Sequence, residues 1–137
     1  MKTCPCDNKK RYMDCCGLYI QKKMLAATPE ILMRSRYSAF AEGNIPYIRK
    51  TMRGPALVGF DKKNFKANVA WVGLEVITTS FEPENPNIGY VEFKAQYKQK
   101  KSKSIGTSIE VITETIHENS QFEKIDGKWF YVSEKEF

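Results

Sequence analysis

The chain has 137 residues, 42% of them hydrophobic and 28% charged, which is enough for one packed core and a small appendage. It contains no apolar run approaching the ~18 residues of a membrane-spanning helix and no apolar signal segment after Met1, so we expect a soluble, cytoplasmic protein. The net charge of +6 is concentrated near the amino end, where residues 1–23 carry six basic side chains against two acidic ones.

The amino end also contains all four cysteines of the chain, Cys4, Cys6, Cys15 and Cys16. Two of them are one residue apart, eight residues follow, and the other two are adjacent. Structural zinc prefers four thiolates in a closed tetrahedron, which this spacing can supply. Two disulfides are the alternative, but they require an oxidising compartment, and a bridge between the adjacent cysteines would be strained. The spacing therefore predicts zinc, with these four cysteines as its ligands.

The loop between the two cysteine pairs is basic, and we expect it to contain one helical turn over residues 9–14. Gly17 is expected to close this turn in the left-handed conformation. Lys9, Lys10 and Arg11 would favour deprotonated sulfurs, and they form a patch that could meet an acidic protein face or nucleic-acid phosphates. A solvated surface with no partner is the alternative for these three side chains.

This segment resembles the SEC-C motif in three places: Cys4-Pro5-Cys6, residues 9–12 and Cys15-Cys16-Gly17. This zinc knuckle is found at the carboxyl end of the SecA translocation motor and in other bacterial proteins. The usual Gly-Ser-Gly after the second cysteine is replaced here by residues 7–9, but the ligand set is complete. The resemblance implies a zinc site. By analogy with SecA, it also implies docking of the knuckle on a protein partner.

Residues 28–43 are predicted to form the first long helix, capped by Thr28 and ended by Gly43. On a helical wheel Arg36 falls inside the apolar stripe, whereas Arg34 lies on the opposite, exposed side with a glutamate one turn away. A buried guanidinium requires a partner. The sequence therefore predicts one for Arg36.

The rest of the chain is predicted to form short helices and then strands. A second helix is expected over residues 45–52, a brief strand or turn over 56–61, and a helix or loop over 65–69. From residue 70 the apolar period changes to two, which indicates strands. The predicted strands cover residues 71–81, 88–99, 105–125 (one strand or two) and 128–133. They are connected by Pro83 to Pro86, a basic turn at 100–104 and a tight hairpin at Asp126-Gly127.

Helices followed by an antiparallel meander predict an α+β fold in which a curved sheet wraps around the helices. This order resembles the cone-shaped fold of the nuclear transport factor two-like superfamily. We call this predicted body the cone.

Alternation in the third strand places four side chains on its apolar, inward face: Ile116, Glu118, Ser120 and Phe122. We expect Arg36 to meet Glu118 there, with Ser120 completing the hydrogen bonds. Either this is a buried ion pair that fixes the helix in the sheet, which we favour, or it is the polar end of a ligand pocket. His117 faces outward and is interpreted as a surface residue, and the aromatic residues Trp71, Trp129 and Tyr131 are interpreted as core.

Residues 30–40, Glu-Ile-Leu-Met-Arg-Ser-Arg-Tyr-Ser-Ala-Phe, are similar to the signature of the YchJ-like proteins, a bacterial group without an established activity. Later blocks of that family are similar to four further stretches of this chain: residues 71–75, 91–93, 117–122 and 127–131. The resemblance spans essentially the whole chain and implies the cone-shaped fold, but it brings no reaction with it. We place a zinc knuckle with its linker at residues 1–23 and the α+β cone at residues 28–137.

Three functions follow as hypotheses, and none assigns a catalytic residue. The first is a binding or adaptor protein whose basic knuckle, at Lys9, Lys10 and Arg11, docks on a protein partner. The second is a small-ligand binder or enzyme that uses the cone pocket. The third is weak nucleic-acid binding through the same loop and residues 98–103, which no exposed, interleaved aromatic residues support.

Overall fold

A computed structural model describes residues 3–7, 9–60, 69–102 and 109–135. The chain begins with a 3₁₀ turn at Tyr12–Asp14, and eight further elements follow it in order: α1 Cys16–Ile20, α2 Pro29–Glu42, α3 Ile45–Lys50, α4 Gly54–Val58, β1 Val69–Glu82, β2 Asn85–Ser102, β3 Ile109–Ile125 and β4 Lys128–Lys135. Among the described residues, no helix has the length and hydropathy of a membrane span.

The long helix α2 begins and ends where its sequence predicts. The Oγ1 of Thr28 accepts a hydrogen bond from the backbone N–H of Ile31 at 3.1 Å, which satisfies one of the free donors of the first turn. Gly43 ends the helix with a φ of 72°, a left-handed conformation that glycine adopts without steric cost. Asn44 then caps α3 by accepting from the N–H of Tyr47 at 3.1 Å.

The region after α3 differs from the prediction. A short helix, α4, occupies Gly54–Val58, where a strand or turn over residues 56–61 was expected. Pro55 lies in its first turn, a position that favours helix initiation, and Ala56 and Leu57 pack against a cluster formed by α2 and α3. The prediction for residues 65–69 falls almost entirely outside the described residues, which resume at Val69 in β1.

The four strands form one antiparallel sheet in the order β1-β2-β3-β4, as the meander predicted. The register between β1 and β2 shifts at residues 71–73 and again at 76–78, and the register between β3 and β4 shifts at 121–122. Such bulges bend and twist a sheet, which lets this one curve around α2. The Asp126-Gly127 hairpin is confirmed, with φ values of 51° and 81°.

Two details of the sheet refine the prediction. Residues 109–125 form a single strand, β3, and not two broken ones. The basic turn expected at residues 100–104 is not observed at residues 100–102, since β2 continues through Ser102. The rest of that connection, residues 103–108, is outside the described residues.

The core lies between α2 and the sheet, and it includes the cysteines. One cluster of buried side chains joins α2, all four strands and the amino-terminal segment: Leu32, Met33, Tyr37, Leu74, Val91, Ala95, Phe122, Trp129 and the four cysteines. A smaller cluster joins α2 to α3 and the residue pair after it: Ala39, Tyr47, Ile48 and Met52. The amino-terminal segment therefore shares its core with the cone.

Candidate functional site

The four cysteine sulfurs form one compact group. All four Sγ atoms lie within 4.8 Å of one another, and the cysteines are not bonded to each other. The Sγ atoms of Cys6 and Cys15 are 3.6 Å apart, and those of Cys15 and Cys16 are 4.0 Å apart. A tetrahedron with zinc–sulfur bonds of about 2.3 Å has edges of about 3.8 Å. The donor set and its dimensions therefore fit one tetrahedral, thiolate-bound metal ion.

A short loop brings the two cysteine pairs together. The backbone N–H of Cys4 donates to the carbonyl of Lys10 at 2.7 Å, and Thr3 forms an isolated bridge with Arg11. Asp7 and Lys9 have φ values of 63° and 58°, so the chain reverses through left-handed residues. The helical turn expected at residues 9–14 is shorter than predicted, since the 3₁₀ turn covers only residues 12–14.

Gly17 does not close this turn in the left-handed conformation, which corrects the prediction. It lies inside α1, and its φ is not among the positive values. A Cβ at this position would lie 2.8 Å from the carbonyl oxygen of Tyr12 and 2.9 Å from its ring. Glycine is required here because the 3₁₀ turn approaches α1 too closely for a side chain.

The loop is fastened to the cone at several points. Cys4 Sγ lies 3.4 Å from Ser38 Oγ on α2, and the backbone N–H of Leu74 on β1 donates to Asp7 Oδ2 at 3.1 Å. Arg34 Nη1 donates to the carbonyl of Cys6 at 2.8 Å. The knuckle is thus packed on the cone, whereas the sequence suggested a separately folded appendage. The boundary between residues 23 and 28 stays a prediction.

Arg34 was expected on the exposed side of α2, and its environment is different. Its Nε pairs with Glu30 Oε2 at 2.9 Å, as predicted, but its side chain is only 18% exposed because the cysteine loop covers it. Burial alone would lower the pKa of Arg34, but the hydrogen bonds to Glu30 and Cys6 raise it above its ordinary value. Arg34 therefore stays charged and connects α2 to the loop.

The thiols strongly influence each other's ionisation. Hydrogen bonds from Cys16 and Cys6 hold the pKa of Cys4 well below its ordinary value. The same contacts with Cys4 and Cys6 raise the pKa of Cys16 far above its ordinary value, because a second thiolate beside the first would be repelled. Only a positive charge among the sulfurs would let all four ionise, which is the electrostatic condition of a metal site.

The predicted partner-binding residues Lys9, Lys10 and Arg11 are all exposed on the outside of the loop. Arg11 Nε forms an ion pair with Asp14 Oδ2 at 2.8 Å, which offsets part of the positive charge. Surface pairs of this kind contribute little stability.

A second feature is a cavity of about 500 Å³ between α2 and the sheet, which we call the cone cavity. All of the residues predicted for a pocket line it: Arg36, Glu118, Ser120 and Phe122. Alternation in β3 thus correctly gave the inward face. Trp71 and Tyr131, interpreted from the sequence as core, also line the cavity. Composition could not distinguish an aromatic residue that fills a core from one that bounds a cavity.

Arg36 is buried, at 7% exposure, as the helical wheel predicted. Its Nη1 donates to the carbonyl of Ile48 at 2.8 Å and to Thr51 Oγ1 at 2.6 Å, and its guanidinium lies 4.9 Å from the ring centre of Tyr131. Burial lowers the pKa of Arg36 to about 10, although Tyr131 and Glu118 are among the side chains that oppose the shift. Sequence reasoning expected Glu118 as the partner and missed these oxygens of α3 and the residue that follows it.

Trp71 supplies a polar atom that lacks a partner. Its ring is surrounded by three others, with centroid distances of 5.8 Å to Tyr37, 6.0 Å to Phe40 and 5.2 Å to Tyr97. Its Nε1 is buried and has no hydrogen-bond partner among the described residues. An unsatisfied buried donor costs about 1–3 kcal/mol, so this N–H lowers the stability of the folded chain by an amount of that order.

His117 lies outside the cavity, as its outward strand position predicted. It is 40% exposed, and its Nε2 lies 2.8 Å from Glu92 Oε2 on the neighbouring strand. Alternation along β3 places this histidine on the outer surface of the sheet, because its neighbours Ile116 and Glu118 line the cavity.

Comparison with known proteins agrees with this architecture. Residues 28–134 match the family described as "YchJ, middle NTF2-like domain". A UPF0225 protein of Photorhabdus laumondii is 36% identical over 134 residues, which cover 96% of this chain and 79% of that protein. The solution structure of a SEC-C motif containing protein from Rhodopseudomonas palustris is similar, with 32% identity, a TM-score of 0.78 and 98% coverage of both chains. The crystal structure of a SEC-C motif containing protein from Psychrobacter arcticus has 30% identity and a TM-score of 0.75, covering 97% of this chain and 81% of that one.

Proposed function

This chain belongs to the YchJ-like family, and we propose that it is a small-molecule-binding protein whose cone is stabilised by a zinc ion at the four cysteines. The cone cavity, with Arg36, Glu118 and Ser120 in an otherwise apolar lining, carries the proposal for ligand binding. The sulfur geometry supports the metal. The two parts are tested separately, because either could hold without the other.

Zinc is proposed over other metals from the chemistry of the donors. Four thiolates with no carboxylate, in tetrahedral dimensions, suit zinc, which holds structural sites of this type closed to solvent. The four cysteines are 0–8% exposed, so no coordination position is open to a substrate. We therefore assign the ion a structural role, which is to join the loop, α1 and α2.

Elemental analysis of protein purified under reducing conditions without chelator tests the metal. We expect about one zinc per chain, and tetrahedral thiolate bands in the visible spectrum after replacement with Co²⁺. Cys6→Ser and Cys15→Ser should each lower the zinc content, whereas Lys10→Ser, in the same loop but exposed, should not. Protein that carries no divalent metal, or iron in place of zinc, would contradict the assignment.

The cone cavity has the size and lining of a small-ligand site. Sites for small molecules usually span about 300–1,000 Å³ and combine apolar walls with a few polar groups. Here the walls include Met33, Phe40 and Phe93, and the polar side chains are those of Arg36, Glu118 and Ser120. The opposite charges of Arg36 and Glu118 offset each other. This favours an uncharged, largely apolar ligand.

A thermal-shift screen of neutral aromatic and aliphatic compounds that carry a carbonyl or ether oxygen tests this proposal. A ligand should raise the melting temperature, and Ala56→Phe, which adds a ring to the cavity wall, should weaken its binding about tenfold or more. Val58→Phe is the matched control, because Val58 lies on the same helix but is 88% exposed. A screen without hits, or a hit that Ala56→Phe binds equally well, would count against ligand binding in the cone.

Adaptor binding through the knuckle is the second candidate, supported by the exposure of Lys9, Lys10 and Arg11 on one loop. It predicts that Lys9→Glu/Lys10→Glu abolishes retention of a protein partner on the immobilised chain, while the zinc content stays the same. A partner retained equally by both forms would remove this candidate. Nucleic-acid binding through the same loop has no further support in the described residues.

A further inference from the structure

A second cleft, of about 450 Å³, shares no lining residue with the cone cavity. It is formed by the segment after α1, the end of α3 with the residues after it, and the start of β4. Five basic side chains line it: Lys22, Lys23, Lys50, Arg53 and Lys128. No carboxylate is present among the described residues that line it. We call this feature the basic groove.

The positive charge of the groove is not neutralised from within the described chain. All five basic side chains are exposed, and none forms an ion pair with a described carboxylate. Burial, together with repulsion from Lys22 and Lys128, lowers the pKa of Lys50. Lysines from three separate parts of the chain are therefore close enough to repel one another. Such a concentration of like charge attracts an anionic partner.

The groove also has an apolar rim. Met24 and Leu25 are 54% and 62% exposed, which is unusual for neighbouring large apolar side chains. Of the aromatic residues that line the groove, Tyr47, Trp129 and Phe130 are buried, at 6–8% exposure, and Tyr19 is half-buried. The Arg53 guanidinium further covers Phe130, at 4.3 Å from its ring centre.

These features distinguish between two kinds of anionic partner. Single-stranded nucleic acid would need exposed aromatic faces for base stacking, and none of the aromatic residues that line the groove is exposed. A peptide with carboxylates and apolar side chains would satisfy both the charge and the exposed Met24 and Leu25. We propose that the basic groove is a docking site for an acidic peptide segment that contains apolar residues. This inference depends neither on the metal nor on the cone cavity.

Fluorescence anisotropy with a labelled peptide, Glu-Asp-Leu-Glu-Glu-Leu-Asp-Glu, tests the proposal on the whole 137-residue chain. We expect saturable binding that weakens as salt is raised. Lys22→Glu/Lys128→Glu should reduce the affinity by about tenfold or more. The matched control is Lys94→Glu/Lys135→Glu, which changes the net charge equally at two exposed lysines outside the groove and should leave the affinity nearly unchanged. Circular dichroism of both variants checks that they fold.

Two further measurements test whether apolar contacts contribute to binding and whether single-stranded nucleic acid binds better than the peptide. Replacing both leucines of the peptide by serine should weaken binding to the native protein, but not to Met24→Ser/Leu25→Ser. Oligo(dT) of similar charge should bind more weakly than the peptide. The proposal is overturned if there is no saturation up to about 1 mM peptide, if both charge-reversal variants weaken binding equally, or if oligo(dT) binds more tightly than the peptide.

Discussion

Removing the metal should destabilise the entire protein and not only its amino end. The reason is that the four cysteines belong to the same buried cluster as Leu32 and Met33 of α2, Leu74 of β1 and Phe122 of β3. The loop is also hydrogen-bonded to α2 and β1. Without the ion, the thiols at the edge of this cluster could not all be ionised at once, because neighbouring thiolates repel each other. We therefore expect one cooperative transition at a lower temperature.

The size of this effect follows from the free energy that zinc binding adds to the stability of the folded state. Zinc present at about a thousand times its dissociation constant stabilises the folded state by about 4 kcal/mol. With an unfolding entropy of about 2.1 cal/mol/K per residue, the whole chain has about 0.29 kcal/mol/K, so the melting temperature should fall by about 14 °C. Chelation followed by thermal melts, monitored by far-ultraviolet circular dichroism and tryptophan fluorescence, measures this change. Both signals should shift together.

Two controls make this result interpretable. Returning zinc should restore the original melting temperature, and Cys6→Ser should melt like the metal-free protein whether or not zinc is added. Lys10→Ser should behave like the native chain in both states, because that side chain is exposed. The reasoning is refuted if the sheet melts at the same temperature with and without metal while only the amino-terminal segment becomes sensitive to protease.

Three further predictions concern single side chains. Arg34→Ala should lower the free energy of unfolding by about 1.5–3 kcal/mol in urea titrations, because a charged donor to a buried carbonyl is lost; Arg49→Ala, which is exposed on α3, should have little effect. Gly17→Ala should cost about 1–3 kcal/mol through overpacking, while Gly59→Ala, whose nearest neighbour would be 3.5 Å away, should be tolerated. Burial, followed by the charge of Glu118, raises the pKa of Tyr131 from 10.0 to about 12. Its contribution to stability should be complete below pH 10 and be lost as the pH rises through 12, so absorbance titration should show delayed tyrosinate formation that Tyr131→Phe reduces.

Local patterns predicted most of the secondary structure correctly. The Thr28 cap and the Gly43 stop define α2, and the Asp126-Gly127 hairpin connects the last two strands. These features depend on residues next to each other in the chain, so the sequence contains the necessary information. The error at residues 54–58 arose because a short apolar run is compatible with either state. Its packing against α2 and α3 selected the helix.

The candidate sites show which contacts could not be predicted from residues that are neighbours in the sequence. The wheel gave the direction of Arg36 correctly, but its observed acceptors are the carbonyl of Ile48 and the hydroxyl of Thr51. Backbone carbonyls have no residue identity, so a sequence pattern cannot reveal them as partners. Arg34 was misjudged for the same reason, since the group that covers it is the Cys6 carbonyl.

By itself, the sequence identified four thiols as candidates for a metal site, the succession of helices and then strands, and the inward direction of Arg36 and of one face of β3. These properties follow from side-chain chemistry and from the periods of helix and strand. Only the tertiary structure decided that the cysteine loop shares the core of the cone, that a cavity remains beside Trp71, and that five basic side chains from three parts of the chain meet in one groove. Periodicity specifies which side of an element is buried, but what lies opposite depends on residues far away in the chain.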